Sequence, residues 1–211
     1  MTFSPNPVQF GFAASLAHPG GNITGLSDQA QELLGKKVEL IRLIAPGTKR
    51  IGVLMINSAG HRESLDVLSR AAKTAGVVVS AEQVPSAAEL EKAVRSLKKK
   101  GISAVVIFGG PPFVGLRKAI AGLATRSKMF TISPTRAYVD DGGLLSYGSS
   151  PSQQNELAAG YVDKILKGAK PGDLPIQQPT KFELVINRKT ADALGMKLSP
   201  ELLLRADEVI E

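Results

Sequence analysis

Few side chains in this 211-residue chain have the types and spacing that catalysis requires. Cysteine is absent, and neither His18 nor His61 has a second histidine or clustered acids at metal-ligand spacing. We interpret both histidines as polar surface or helix-capping residues and predict no metal, no cofactor and no catalytic group. A G-x-S-x-G elbow, a P-loop and a G-x-G-x-x-G turn are also missing. These absences argue against a doubly wound enzyme.

The remaining polar residues point to binding, because they follow apolar runs that read as buried strands. Short continuous runs at 51–56, 104–108 and 129–132 are each followed by a loop with polar residues, glycine or proline. The carboxyl ends of parallel strands share one sheet edge, and ligands bind there at the switch point between two neighbouring loops. The candidate ligand-binding residues of these loops are Asn57, Ser58, Ser64, Gly110, Pro111, Ser133, Thr135 and Arg136.

The expected ligand chemistry follows from the helices that start after these loops. Free N–H groups and the helix dipole favour an anionic group such as a carboxylate. Arg136 is expected to face the same cleft and to favour a carboxylate or another anion, and Phe113 would add a contact face. Two alternatives stay open: Asn57 and Ser58 only cap their helix, and Arg136 is a solvated surface residue.

Regular alternation of strands and helices must position these loops. Between residues 50 and 132, four strands alternate with helical stretches, which predicts an α/β fold with a parallel sheet in flavodoxin-like order. Ser86 and Glu89 have the form of a capping box. Residues 30–44 and 151–167 predict two amphipathic helices, and further strands are predicted at 144–147 and 182–186.

Composition limits the partners. The net charge is +7, from 26 basic and 19 acidic residues, but the charges are scattered. The densest cluster, at 98–100, ends a predicted helix and complements its dipole. Tryptophan is absent and the three tyrosines are far apart, so we predict no nucleic-acid partner. No apolar run approaches the roughly 20 residues that span a bilayer, and the first residues, MTFSPNPVQFGF, lack the pattern of a signal peptide.

Four segments resemble the signatures of one bacterial family. Residues 14–25 (ASLAHPGGNITG) resemble SLARPGGNVTG, and residues 142–148 match GGLMSYG closely. Residues 161–187 and 205–210 match the family's C-terminal strings. The chain resembles, over essentially all of its length, the substrate-binding proteins of ABC transporters related to tryptophan- and tyrosine-uptake binding proteins.

The resemblance implies the type I periplasmic-binding-protein fold, in which two α/β lobes close on a small ligand. Against this pattern the chain looks truncated at the N-terminus, with one nearly complete lobe and remnants of the other. We expect residues 1–45 to be an N-lobe remnant and hinge, and residues 46–143 to be the C-lobe. Residues 144–175 would return to the N-lobe, and 176–211 would complete the C-lobe.

The resemblance also implies a function without catalysis. The chain would capture an amino acid or small organic anion for a membrane permease, in the periplasm. The alternative is a ligand-sensing regulatory domain of the same fold. Asp28 matches a family position and is the candidate for binding a cationic group. Because the apolar faces of 30–44 and 151–167 would lack their sheet, we also expect a homodimer through these helices.

Overall fold

The computed structural model describes residues 2–4, 6–27 and 29–211, and the chain divides into two compact units. The smaller unit consists of Met1–Ala30 and Ser149–Phe182, and the larger of Gln31–Gly148 and Glu183–Glu211. The chain therefore passes between the units three times.

The regular elements are named in chain order. The strands are β1 (Thr2–Ser4), β2 (Gly25–Ser27), β3 (Arg50–Met55), β4 (Val78–Gln83), β5 (Ala104–Ile107), β6 (Phe130–Ser133), β7 (Leu145–Ser149), β8 (Phe182–Asn187) and β9 (Glu208–Ile210). The α-helices are α1 (Leu34–Ile44), α2 (Ala59–Thr74), α3 (Ala87–Lys99), α4 (Pro111–Arg126), α5 (Arg136–Asp140), α6 (Pro151–Leu166), α7 (Arg188–Leu194) and α8 (Pro200–Arg205).

A seven-stranded sheet in the order β4-β3-β5-β6-β7-β8-β9 forms the centre of the larger unit. β3 pairs in parallel with both β4 and β5, and β5 with β6 and β6 with β7 are parallel too. The first five strands thus have the flavodoxin-like order. The predicted α/β fold with a parallel sheet is confirmed.

Both faces of this sheet are covered, which explains the continuous apolar runs. Side chains of successive strand residues point to opposite faces, so Val53 joins the core cluster that includes α1 and α2, whereas Leu54 joins the one that includes α3 and α4. Val53 and Leu54 are both essentially inaccessible to solvent. In a strand that is buried on both faces, apolar residues do not alternate with polar ones, so the sequence shows a continuous apolar run.

Helix α1 belongs to the larger unit, so the boundary lies after Ala30 and not after residue 45 as expected. Its residues Val38 and Ile41 are buried in the same core cluster as Ile51 and Leu68. The expectation that this apolar face would meet water without a missing lobe is therefore wrong. The amphipathic pattern showed that one face of α1 is buried, but not which sheet it covers.

The smaller unit is held by contacts between distant segments. β1 and β2 pair in parallel, and α6 packs near β2. The amide of Ser27 donates to Gln177 O at 2.8 Å, and Thr24 Oγ1 donates to Leu174 O at 2.6 Å. On α6, Tyr161 is buried, whereas Val162 and Leu166 are exposed.

Side-chain caps define several helix starts. Ser58, Asn187 and Ser199 each accept a hydrogen bond from the backbone N–H three residues later, at the starts of α2, α7 and α8. At α3 the predicted capping box does not form: Ser86 occupies the N-cap position, but its side chain makes no capping hydrogen bond.

Candidate functional site

Three loops meet at the carboxyl edge of the larger unit's sheet. They follow β3, β5 and β6, which lie side by side and run in parallel. The chain leaves β3 towards β4 on one side and returns to β5 on the other, so β3 and β5 flank a switch point of the kind where α/β proteins bind ligands. The predicted grouping of these loops at one edge is therefore observed.

The first loop leads into α2. Ser58 caps the helix, with Oγ accepting from the amide of His61 at 3.2 Å. Asn57 is exposed, and its Oδ1 accepts from the guanidinium of Arg62 at 2.7 Å. Ser64, one turn into α2, is half-buried. Ser58 thus has the capping role that was left open, and α2 directs the N–H groups of its first turn towards this edge.

The second loop leads into α4 through Gly110, which has φ +128° at the N-cap position. Few residues other than glycine adopt this conformation. Pro111 and Pro112 open the helix and have no N–H to donate, so α4 offers a ligand fewer amide donors than α2. The loop supplies Phe113 instead, which is buried and lies in the same core cluster as Tyr138.

The third loop runs from Ser133 to the start of α5. Ser133 is buried, and its Oγ accepts from the amide of Thr135 at 3.3 Å, whereas Thr135 is exposed at the N-cap position of α5. A recess of about 30 Å³, room for about one water, lies between the second and third loops. Of the predicted site residues, its lining includes Gly110, Ser133 and Thr135.

The floor of the recess includes Tyr138, whose hydroxyl lies 2.7 Å from Thr131 Oγ1. Both side chains are buried. Burial raises the pKa of the Tyr138 phenol far above its usual value, because a phenolate would lose its hydration. The phenol therefore stays neutral, and its hydrogen bond to Thr131 holds it in place at the floor of the recess.

Arg136, for which the sequence left open an anion-binding role or a solvated surface position, is paired with carboxylates of this chain. Its guanidinium forms a bidentate pair with Glu208, with Nη2 2.6 Å from Oε1, and Asp140 Oδ1 lies 3.6 Å from Nε. Arg136 is not among the residues that line the recess. The expectation that it faces the cleft to bind an anion therefore lacks support, because its positive charge is matched by two carboxylates of the chain.

His61 is the residue of this edge that the sequence analysis underestimated. Its Nδ1 accepts from the amide of Ile56 at 3.0 Å, and its Nε2 lies 2.8 Å from Gly109 O. The half-buried ring thus connects the first loop to the second, and it does more than a surface or capping residue. Burial is the main cause that lowers the pKa of His61.

Asp28 is not placed by the structure, and metal sites and membrane-spanning helices are absent from the described part of the chain. Asp28 lies outside the described residues, so its candidate role stays a sequence-based prediction. Across residues 2–4, 6–27 and 29–211, no group of three or more His, Cys, Asp or Glu side chains could hold a metal ion. In the same residues, no helix has both the length and the apolar character needed to cross a bilayer.

A flavodoxin-like parallel sheet in one compact unit, in a chain that also has a second compact unit, is typical of solute-binding proteins. The chain belongs to the ABC transporter substrate-binding protein family, whose family model matches residues 1–210. The family resemblance found in the sequence is thereby confirmed.

Named relatives and solved structures agree with this membership. The chain is 28% identical over 212 residues to a tyrosine-binding protein of Clostridioides difficile, covering 99% of this chain and 61% of that protein. It is similar to the structure of an ABC domain in complex with L-Trp from Streptococcus pneumonia, with 28% identity, a TM-score of 0.87 and coverage of 97% and 68%. A conserved domain protein of Vibrio cholerae has 27% identity, a TM-score of 0.89 and coverage of 96% and 68%.

Proposed function

We propose that this chain captures an amino acid with an aromatic side chain and delivers it to an ABC permease outside the cytoplasm, without catalysis. Family membership over residues 1–210 is the observation on which this proposal depends. Two relatives described by the ligands tyrosine and L-Trp support the ligand class. Since the chain spans 61% of the length of the tyrosine-binding protein, the activity of the whole protein is part of the proposal.

The pairing of Arg136 removes one objection to an amino acid. As an unpaired cation beside the site, it would have repelled a ligand ammonium group. Its charge is instead matched by Glu208 and Asp140. The ligand carboxylate would then bind near the start of α2, where N–H groups converge and where Asn57 and Ser58 lie. Asp28 remains the sequence-based candidate for the ammonium group.

The recess between the second and third loops supports an apolar ligand side chain above it. Phe113, Val114 and Pro134 contribute apolar surface there. At about 30 Å³ the recess cannot enclose an aromatic ring. We propose that the ring lies over this surface and that Gly110, Pro111 and Thr135 contact it. Ser64 would bind the ligand from the second turn of α2. Ser133 would contribute indirectly, because it orients Thr135.

A thermal-shift screen of the twenty amino acids and of small organic acids tests the proposal. A ligand that binds only the folded state raises the melting temperature. We expect L-tyrosine and L-tryptophan to raise it in a saturable manner, whereas their D-enantiomers, which cannot place carboxylate, ammonium and ring together, should not. No shift with any amino acid, or a shift only with organic anions, would overturn the proposed ligand class.

The permease distinguishes this proposal from a ligand-sensing regulator of the same fold. A substrate-binding protein loaded with ligand stimulates its transporter, whereas a regulatory domain changes the activity of a partner that does not move solute. Reconstitution of the chain with candidate ABC permeases from the same genome tests this difference. Ligand-dependent ATP hydrolysis and uptake support the transport role, and high-affinity binding without any stimulation favours the regulator.

A further inference from the structure

His61 joins backbone atoms of two loops that are distant in the sequence. Nδ1 is bonded to the amide of Ile56, directly after β3, and Nε2 to the carbonyl of Gly109, 48 residues further along the chain. Both partners are backbone groups, so the ring fixes the paths of the loops themselves. A shift of either loop by about 1 Å would lengthen one of these bonds beyond hydrogen-bond range.

The two bonds require one protonation state. Nδ1 accepts from an N–H and must be unprotonated, while a carbonyl can be bonded only by a protonated Nε2. His61 is therefore the neutral Nε2–H tautomer. Protonation of Nδ1 would place two N–H groups against each other. The nearby turns of α2 and α4 carry five charged side chains: Arg62, Glu63, Asp66, Arg117 and Lys118. None of the described contacts joins one of them to the imidazole ring.

Aromatic neighbours fix the orientation of the ring. Phe108 meets it edge-on, with ring centroids 5.3 Å apart and an interplanar angle of 69°, and Phe113 stacks at 6.3 Å and 30°. A Cβ atom added to Gly110 would lie 3.9 Å from the ring, so the backbone of the second loop runs alongside it. Phe113 also lines the recess. The position of His61 therefore affects the surface on which the ligand is proposed to lie.

We propose that neutral His61 is a positioning residue that holds the loops after β3 and β5 at one separation and thereby sets the affinity for the ligand. This inference rests on the proposed function, because it concerns the same edge of the sheet. His61 acts through Gly109 and Ile56 and does not need to touch the ligand.

Conservative variants can remove the two bonds separately. His61→Asn keeps an acceptor near the position of Nδ1 but cannot reach Gly109, and His61→Gln keeps a donor near Nε2 but no acceptor for the Ile56 amide. His61→Leu keeps approximate volume and neither bond. Calorimetry at pH 7.5 with L-tyrosine and L-tryptophan should show about five- to tenfold weaker binding for each single-bond variant, as loss of one hydrogen bond predicts. His61→Leu should be weaker still.

Equal affinity in His61→Asn and the unmodified chain would overturn the inference, because the bond to Gly109 would then have no effect on the site. Circular dichroism of each variant shows whether it is folded. Nitrogen-15 NMR of the imidazole supplies a signature that a general loss of packing would not reproduce. We expect a neutral Nε2–H ring at pH 7.5, and His18→Gln removes the other histidine signal for assignment. An Nδ1–H tautomer or an imidazolium would contradict the proposal.

Hydrogen–deuterium exchange distinguishes failure of this inference from failure of the proposed function. If neither amino acid binds the unmodified chain, the proposed ligand class fails. His61 is then judged by the exchange of amides in residues 105–116. Faster exchange there in both single-bond variants supports the positioning role, and unchanged exchange overturns it.

Discussion

The guanidinium of Arg136 donates to both carboxylate oxygens of Glu208, a residue 72 positions further along the chain. This pair ties the start of α5 to β9, the edge strand of the sheet. The hydrogen bonds from Arg136 are the main cause that holds the pKa of the Glu208 carboxyl below its usual value. A residue that looks like an anion-binding cation in the sequence is therefore a link between two elements of the larger unit.

The first prediction is that Arg136→Ala leaves the affinity for L-tyrosine and L-tryptophan within about twofold, because the guanidinium is already paired. Loss of a charged hydrogen bond to the ligand would instead weaken binding by roughly tenfold or more. Calorimetry separates these outcomes, with Glu208→Gln as the matched control that breaks the same pair from the other side. A tenfold loss in Arg136→Ala alone would show that the guanidinium contacts the ligand.

The second prediction concerns the buried hydroxyl pair beneath the recess. Tyr138→Phe leaves Thr131 Oγ1 buried without its 2.7 Å partner and should lower the free energy of unfolding by about 1–3 kcal/mol. Thr131→Val should have a similar cost, because it leaves the buried hydroxyl of Tyr138 without a hydrogen-bond partner. The double variant removes both polar groups, so its cost should be well below the sum of the two. Denaturant unfolding measures all three, and additive costs would mean that this hydrogen bond is not the cause.

The third prediction concerns a close approach between Gly143 and the same tyrosine. A Cβ atom at residue 143 would lie 1.9 Å from the Tyr138 ring. Gly143→Ala should therefore destabilise the chain by at least about 3 kcal/mol, at the upper end for overpacking. Gly115→Ala on α4 is the matched control, since its new Cβ meets nothing within 4 Å. That variant should be neutral or stabilising by up to about 1 kcal/mol, as thermal unfolding would show.

The sequence predicted the centre of the sheet well because the central strands β3, β5 and β6 are buried on both faces. The runs around Val53 and Val106 contain no polar position, and short continuous apolar runs between helices have few other structural solutions. The loops at its carboxyl edge could then be placed together without knowing a side-chain contact. Local chemistry also offered capping as one of two alternatives for Ser58, and the structure shows that cap.

The same reasoning could not assign His61 or Arg136. Their partners, Gly109 O and Glu208, lie 48 and 72 residues further along the chain, and one is a backbone atom of no particular residue type. Periodicity also cannot say which sheet an amphipathic helix covers, and so α1 was assigned to the wrong unit. The signal available for His61 was its place at a helix start directly after a buried strand.

The fourth prediction concerns pH. The pKa of His61 is lowered in the folded state from its ordinary value of 6.5, mainly by burial. Below that value the unfolded chain binds a proton that the folded chain resists, so the free energy of unfolding falls as the pH drops. The contribution of neutral His61 to the free energy of unfolding is fully present above about pH 6.5. Between pH 7.5 and 5.5, the decrease should be smaller in His61→Gln than in the unmodified chain. If denaturant titrations show the same decrease in the free energy of unfolding for both chains, His61 is not the group responsible.

The fifth prediction revises the expected dimer. Because the apolar face of α1 is buried within the larger unit, self-association should depend on α6 of the smaller unit. On α6, Val162 and Leu166 lie one turn apart and are 48% and 81% exposed. Leu166→Lys should abolish any dimer seen by light scattering at micromolar concentration. Leu204→Lys on α8, 88% exposed in the larger unit, is the matched control and should not. A monomeric unmodified chain would refute self-association itself.

The composition of the smaller unit from two distant segments has a consequence for synthesis on the ribosome. Thr24 finds its partner Leu174 only after 150 further residues have been added. At about 5–20 residues per second, that interval lasts roughly 8–30 s. Throughout it the first 27 residues carry β1 and β2 without the segment that completes them, and by its end five of the seven strands of the larger sheet, β3–β7, have been made. A nascent chain arrested before residue 170 should therefore show a protease-sensitive start beside a resistant middle.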